Sequence, residues 1–487
     1  MAFTNTPLQD SYSSHRIPLL QEIQWRDSGL ADKDEDIVNF HFTAVGKFSE
    51  KDDRKLLMKR AGTEQKIASV FAGTVRGMHF WADQSKLMYA VDNDLYVVNV
   101  NTLASTTLAN WCATTSGEVG FTEFLYSTGI SKVVVTDGTT LITVDSANTV
   151  DTAGPGFPTP HLPNPVFLDG YLFLVKTSTA DIYNSTLDLP LVYVGDLINA
   201  EIEGDFVSRI AKVNNYLVAF GTRSIEFFWD AGNPTGSPLN RNDTPVKYNN
   251  FFGGLAQLGN NIFFIGQDLN GRTDVFVLTD FSIKPLGTPT ITRYLNATTD
   301  GPTTWSGTVL SYLGNSFYLL RAGTTKTWLC NLGTGHWTRI AYQATSTFNM
   351  THAVKVITST NTFTWFALSG ATSAIYGFND TLFQDSGTNY TCTIRTPTND
   401  FGTLNRKTMS RLAFNCDRPN TTSLINVSWS DDDYQVFSTP VAIELDQDIA
   451  CTYRLGSFRQ RSFKITYTDN FALRISDIEV DINKGRA

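Results

Sequence analysis

The stretch AKVNNYLVAFGTRSIEFFWDAGN, Ala211 to Asn233, decides how this chain is read. Asn214 and Asn215 tolerate positive φ, and the run from Tyr216 to Phe220 after them spells a tight hairpin turn entering a buried strand. A second turn at Gly221-Thr222-Arg223 leads into the aromatic strand Ile225 to Trp229. One such hairpin at the edge of a small sheet says little. A series of them means a repeat architecture.

The series is present. VFLDGYLFLV sets Asp169-Gly170 before Tyr171, AQLGNNIFFI sets Gly259-Asn260 before Ile262, and SYLGNSFYLL sets Gly314-Asn315 before Phe317. Weaker copies place Gly129 before Val133 and Asn361 before Phe363. Gly170, Asn215 and Asn260 recur roughly every 45 residues, a third apolar strand follows each hairpin, and a fourth follows most. Four short strands at that period are the mark of propeller blades, which hide their faces only by packing on neighbours around a central channel. The expected fold is all-β: a β-propeller of about seven four-stranded blades, with six or eight left open. It occupies residues 71–388. Residues 1–70, with the charge runs DKDED at 32–36 and EKDDRK at 50–55, read as an irregular N-terminal arm or cap. Residues 389–487 carry longer alternating strands and read as a β-sandwich.

Composition agrees with this reading and narrows function. With 17% charged residues, 35 glycines and abundant Thr, Asn and Ser, helix formers are scarce in the 487 residues. A net charge of -9 disfavours a protein that grips nucleic acid through its phosphates. The five cysteines are widely spaced without CxxC pairs, so neither a disulfide framework nor a zinc site is expected. The start MAFTNTPLQDSYSSHR lacks the features of a signal peptide, and no stretch has the apolar length of a membrane helix. Folding in a reducing cytoplasm, with no membrane insertion, is the expectation.

Motifs with chemistry are weak. Ser428 to Tyr434 (SWSDDDY) partly matches the Asp-box turn of sialidase propellers, with Tyr434 where glycine belongs, and reads as a capped turn. Asp268, Asn270, Gly271 and Asp274 offer alternate oxygens as a calcium loop would, yet lack the EF-hand glutamate, so a hairpin loop is expected. The six histidines show no metal-binding spacing, and no P-loop or G-x-S-x-G is present. No cofactor is expected. A propeller glycosidase needs carboxylates at the channel mouth on separate blades, for which Glu123, Asp181, Glu226 and Asp274 are candidates. Arg454, Arg459, Arg461 and Lys464, with Arg474, form a basic cluster that reads either as outward strand positions or as a contact for DNA or an acidic partner.

The phrase RIAKVNNYLVAFGTRSIEFFWDAGN resembles the packaged-DNA stabilisation or tail nozzle proteins of short-tailed bacteriophages. Three further phrases are similar in order: VNFHFTAVGKFSEKDDRKLLMKRAGTE (38–64), IGQDLNGRTDVFVLTDFSIKPLGTP (265–289) and RQRSFKITYTDNFALRISDIEVDI (459–482). Ala61 stands where that family has proline in its Pro-Gly-Thr turn. The resemblance implies a virion protein of the tail, assembled in the host bacterial cytoplasm. It implies a ring of six subunits below the portal and adaptor that continues the DNA channel, retains packaged DNA and supports tail fibres or tailspikes and a needle or plug. Double-stranded DNA would pass without tight binding. The competing expectations are a glycoside hydrolase or lyase acting on host-surface polysaccharide, and a monomeric protein-interaction propeller.

Overall fold

In the computed structural model, Asp169 and Gly170 take φ of 47° and 85°, the left-handed pair that a type I′ hairpin requires. The model describes residues 12–17, 19, 36–44, 55–68, 73–297, 301, 304–369 and 373–485. Asn214-Asn215 and Gly259-Asn260 likewise sit in two-residue turns, with Val213 paired to Tyr216 and Leu258 to Asn261. One turn is displaced by a residue: Leu313 and Gly314 carry the positive φ, and Asn315 already opens the next strand. Gly129 and Asn361 lie in longer loops, closed by Tyr126 N–H to Ile130 O and by Thr358 N–H to Asn361 O.

The chain divides into two compact units. The larger comprises residues 64–327 and 348–379 and is the propeller. Blade 1 pairs Val75–Trp81, Lys86–Val91, Asp94–Asn99 and Ser105–Leu108 in that order. Blade 2 runs from Gly120–Leu125 to Val150–Thr152, blade 3 from Val166–Leu168 to Leu197–Asn199, blade 4 from Val207–Val213 to Leu239–Arg241, and blade 5 from Asn250–Leu258 to Ser282–Pro285. The opening Tyr216–Gly221 strand is therefore an interior strand of blade 4 and not a sheet edge. A further blade pairs Met350–Ile357, Thr362–Leu368 and Ile375–Asn379 and takes its fourth strand, Gly62–Ile67, from far upstream. That strand covers an edge which would otherwise expose unpaired backbone. Around Gly314 the pattern is broken: the hairpin Ser306–Tyr312 with Asn315–Ala322 belongs to this unit, whereas Trp337–Arg339 belongs to the other. Six separate blade sheets result, and the strands of the seventh expected unit, Ser306–Tyr312, Asn315–Ala322, Lys326–Asn331 and Trp337–Arg339, pair in that order but are divided between the two units.

Alternation explains why these strands read as continuous apolar runs. In Lys86–Val91, Met88 and Ala90 pack with Val133, Val135 and Val144 of blade 2, while Leu87, Tyr89 and Val91 pack with Val356, Trp365 and Ile375 of the last blade. Both faces are buried, so neither alternates to polar. The same clusters recur between blades 2 and 3, 3 and 4, and 4 and 5. Ser306–Tyr312 packs between Asn250–Leu258 and Met350–Ile357, and Met350–Ile357 reaches Val75–Trp81, which closes the ring.

The smaller unit comprises residues 1–63, 328–347 and 380–487. One sheet orders Phe40–Ala44, Lys55–Lys59, Arg474–Lys484, Lys407–Cys416 and Ala450–Tyr453, with Tyr12–Arg16 also on Arg474–Lys484. The other runs Trp337–Arg339, Asp36–Val38, Cys392–Arg395, Ser462–Tyr467, Leu424–Ser430 and Val441–Glu444. Phe40, Leu57, Leu412 and Val480 of the first share one core with Ile37, Ile394, Ile425 and Ile465 of the second. This corrects the expected layout at both ends. The N-terminal segment is not a separate arm where it is described, because its strands complete the sandwich, and the sandwich draws in residues 328–347 and 380–388. The strands are short and their partners distant, as with Leu57 opposite Ile475, so no local pattern announces them. The charge runs at 32–35 and 50–54 lie outside the described residues.

Candidate functional site

Four of the innermost strands of the propeller are irregular in register. Register shifts occur at Val75/Gly77, Val207/Arg209, Phe251/Gly253 and Met350/His352. A bulge inserts a residue, bends the strand and re-aims its side chain. Here the bulged residues border a central cavity of about 840 Å³, whose lining includes Arg76, Glu118, Arg209, Trp305, Arg321 and His352. Glycine allows the strands to crowd around it. A Cβ on Gly77 would stand 2.1 Å from the Val119 carbonyl oxygen, and one on Gly120 would stand 2.0 Å from that of Pro163.

The three guanidinium groups differ in what they hold. Arg76 is buried and donates to Gly117 O at 2.9 Å, Thr114 O and Thr114 Oγ1 at 2.8 Å each, and Ser116 O at 2.7 Å. It pins the loop between blades 1 and 2. Arg209 pairs with Glu118. Arg321 stands opposite Ser306 in its hairpin, its Nε has no hydrogen-bond partner among the described residues, and burial pulls its pKa below the ordinary value. Two other lining groups share that lack: Trp305 Nε1 and His352 Nδ1. Burial lowers the His352 pKa first; the Glu118 carboxylate raises it and the Arg321 charge lowers it further. Asn164 completes the set, donating from Nδ2 to Ile210 O at 2.8 Å while its Oδ1 is left without a partner among the described residues.

The four carboxylates considered for glycosidase work line other places. Glu123 meets His79 at 3.1 Å, Glu226 pairs with Arg241 at 2.9 Å, Asp274 pairs with Arg272 at 2.7 Å, and Asp181 borders a smaller cavity beside Glu201 and Asp205. None of them lines the central cavity. Asp268 caps its own hairpin loop, accepting N–H groups of Asn270 at 2.8 Å and Arg272 at 2.9 Å. The Asp-box-like turn is likewise capped: Asp432 Oδ1 accepts from Ser430 Oγ at 2.7 Å and Val436 N–H at 3.0 Å. Within the basic cluster Arg461 is buried in a two-pronged pair with Asp431 at 2.7 and 2.8 Å. Arg459 is exposed and donates to Leu404 O at 2.9 Å, Arg454 and Lys464 are exposed, and Arg474 pairs with Asp417. Sequence reasoning missed Trp305, Arg321 and His352, since each is a lone residue on a different strand with no motif around it.

The family model described as bacteriophage P22 Gp10, beta-propeller, matches residues 53–313. The chain belongs to this family. The match spans blades 1 to 5 and the first strand of the hairpin after them, so membership in the P22 Gp10 family, the tail stabilisation and nozzle group of the sequence resemblance, rests on the propeller itself. As a P22 Gp10 family member the protein is a structural protein of a phage tail. No curated protein matches. Among solved structures, a streptogramin B lyase is similar at 12% identity and TM-score 0.45 over 66% of this chain and 98% of that one. A virginiamycin B lyase from Staphylococcus aureus with quinupristin is similar at 11% and 0.44 over 65% and 98%. The N-terminal domain of Nup159 is similar at 10% and 0.42 over 70% and 99%. At these values the likenesses carry no argument about activity.

Proposed function

We propose that the protein is the subunit of a phage tail hub or nozzle, six copies of which form a ring below portal and adaptor, continue the DNA channel, retain packaged DNA and carry the tail appendages. The observation that carries this reading is the family match over residues 53–313. The protein acts without catalysis, resides in the virion tail and is assembled in the host cytoplasm. The central cavity of the propeller, about 840 Å³, is of ligand size. In this reading the DNA path runs between subunits, past their outer surfaces, and a net charge of -9 suits a wall along which DNA slides.

The test is a phage carrying a nonsense codon in this gene, grown with and without a complementing copy. Particles made without the protein are expected to package DNA and then lose it, and images of complemented tails should show a six-fold ring of propellers. Particles that keep their DNA without the protein, or turnover of capsular polysaccharide by the purified chain, would overturn the reading.

A further inference from the structure

Among the described residues, one cluster of side chains around the central cavity is not accounted for by the structural role. Charged groups buried in a protein are ordinarily paired, and buried donors ordinarily find acceptors. Three departures from that rule line one cavity: Arg321 Nε, Trp305 Nε1 and His352 Nδ1 have no partner among the described residues. They come from different places in the chain. Arg321 lies on Asn315–Ala322 opposite Ser306, Trp305 is the residue before Ser306, and His352 lies at the register shift of Met350–Ile357. The groups that hold them are in place. Trp305 packs edge-on against Phe252 with ring centroids 5.6 Å apart, and Tyr318, two strand positions before Leu320, ties its hydroxyl to Gly254 O at 2.8 Å. Arg76 is committed to backbone carbonyls and Arg209 to Glu118, whereas Arg321 Nε has no hydrogen-bond partner among the described residues.

We propose that the central cavity of the propeller is a binding site for a phosphate group, held by the Arg321 guanidinium and the Trp305 and His352 ring N–H groups. A guanidinium presents its donors in a planar fork that matches a phosphate edge, and charge-assisted bonds of this kind are the strong ones. The lining also offers acceptors, the Glu118 carboxylate and the unpartnered Asn164 Oδ1. A hydrogen phosphate carries an O–H to donate to such an acceptor, whereas sulfate carries none, so the site favours phosphate over sulfate. The phosphate can come from inorganic phosphate or from a nucleotide terminus, and a cavity of about 840 Å³ has room for either.

The experiment is titration calorimetry on the full chain in a phosphate-free buffer at constant ionic strength, with inorganic phosphate, sulfate and thymidine 5′-monophosphate as separate probes. Saturable phosphate binding is expected, about tenfold or more tighter than sulfate, together with a rise in melting temperature that follows phosphate concentration. Tighter binding of the nucleotide assigns the source to a nucleotide terminus; tighter binding of phosphate assigns it to the free ion. Arg321→Gln is expected to weaken phosphate by about tenfold or more while leaving the far-ultraviolet spectrum unchanged. Trp305→Phe keeps the ring packing and is expected to weaken it by several-fold, which keeps the idea testable should Arg321→Gln fail to fold. Absence of saturable binding by phosphate and nucleotide at millimolar concentration, sulfate binding as tightly as phosphate, or either variant binding as the parent does would overturn the proposal. None of these outcomes bears on the tail role, which the phage experiment decides separately.

Discussion

Arg60 and Asp385 show how single residues hold the smaller unit together. Both are buried; the Arg60 Nη1 and Nη2 groups bracket the Asp385 carboxylate, Nε donates to Asn39 Oδ1 at 3.0 Å, and Gln343 N–H and Thr63 Oγ1 complete the carboxylate at 2.8 and 3.1 Å. Removing the acid leaves a stranded cation, so Asp385→Ala is expected to cost about 3–5 kcal/mol in a urea melt of this unit. His161 makes a second prediction. Thr136 Oγ1 gives its proton to Thr140 O at 2.7 Å and thus accepts from His161 Nε2 at 2.6 Å, and burial holds the ring neutral with a pKa lowered to about 4. The unfolded chain takes up a proton below about pH 6.5 that the fold refuses, so stability present above that pH is lost as pH falls from about 6.5 to 4, by about 3 kcal/mol. His161→Gln should flatten that slope between pH 7 and pH 4 in denaturant titrations. An unchanged slope would assign the acid sensitivity to other groups.

At the scale of elements, the blades are specified by turns and by glycine at points of close approach. Gly77 and Gly120 sit where neighbouring inner strands touch backbone to side-chain position, and the nearest obstacle is a carbonyl oxygen that cannot swing away. Gly120→Ala is therefore expected to lower stability by about 2 kcal/mol or more in a chemical melt, beyond what a loss of flexibility would give. The hairpin turns and strand runs were legible because turn chemistry and apolar alternation are local. The strand Gly62–Ile67 was not, since it pairs with a blade some three hundred residues on and carries the polar sequence GTEQKI. Arg461 illustrates the same limit: it lies among Arg459 and Lys464 in sequence, yet its guanidinium faces Asp431 over Phe458 at 4.2 Å while they face solvent.

For the whole molecule, the two units make separable predictions. Deleting residues 1–60 removes the strands Phe40–Ala44 and Lys55–Lys59 from the sandwich but spares Gly62–Ile67, which closes the propeller. The propeller is expected to melt as a cooperative unit in that variant, whereas incorporation into particles is expected to be abolished; normal incorporation would remove the smaller unit from the assembly argument. With Arg461 and Arg474 paired, Arg454, Arg459 and Lys464 remain as exposed cations of the basic cluster. Duplex binding weaker than micromolar at physiological salt is the expected outcome, read by fluorescence anisotropy. A submicromolar affinity with a steep salt slope would replace the sliding conduit by a clamp.

From the sequence alone follow the all-β class, the propeller repeat, the place of its hairpins and the phrases shared with phage tail proteins, because each depends on residues near one another in the chain. Turn preference, alternation and burial on both faces act over a few residues and leave their mark there. The tertiary structure alone decided which strand closes the ring, that the N-terminal strands complete a distant sandwich, which arginines are neutralised, and that Trp305, Arg321 and His352 face one cavity. These are matters of which remote groups meet, and a lone side chain carries no record of its partner until the backbone has brought the two together.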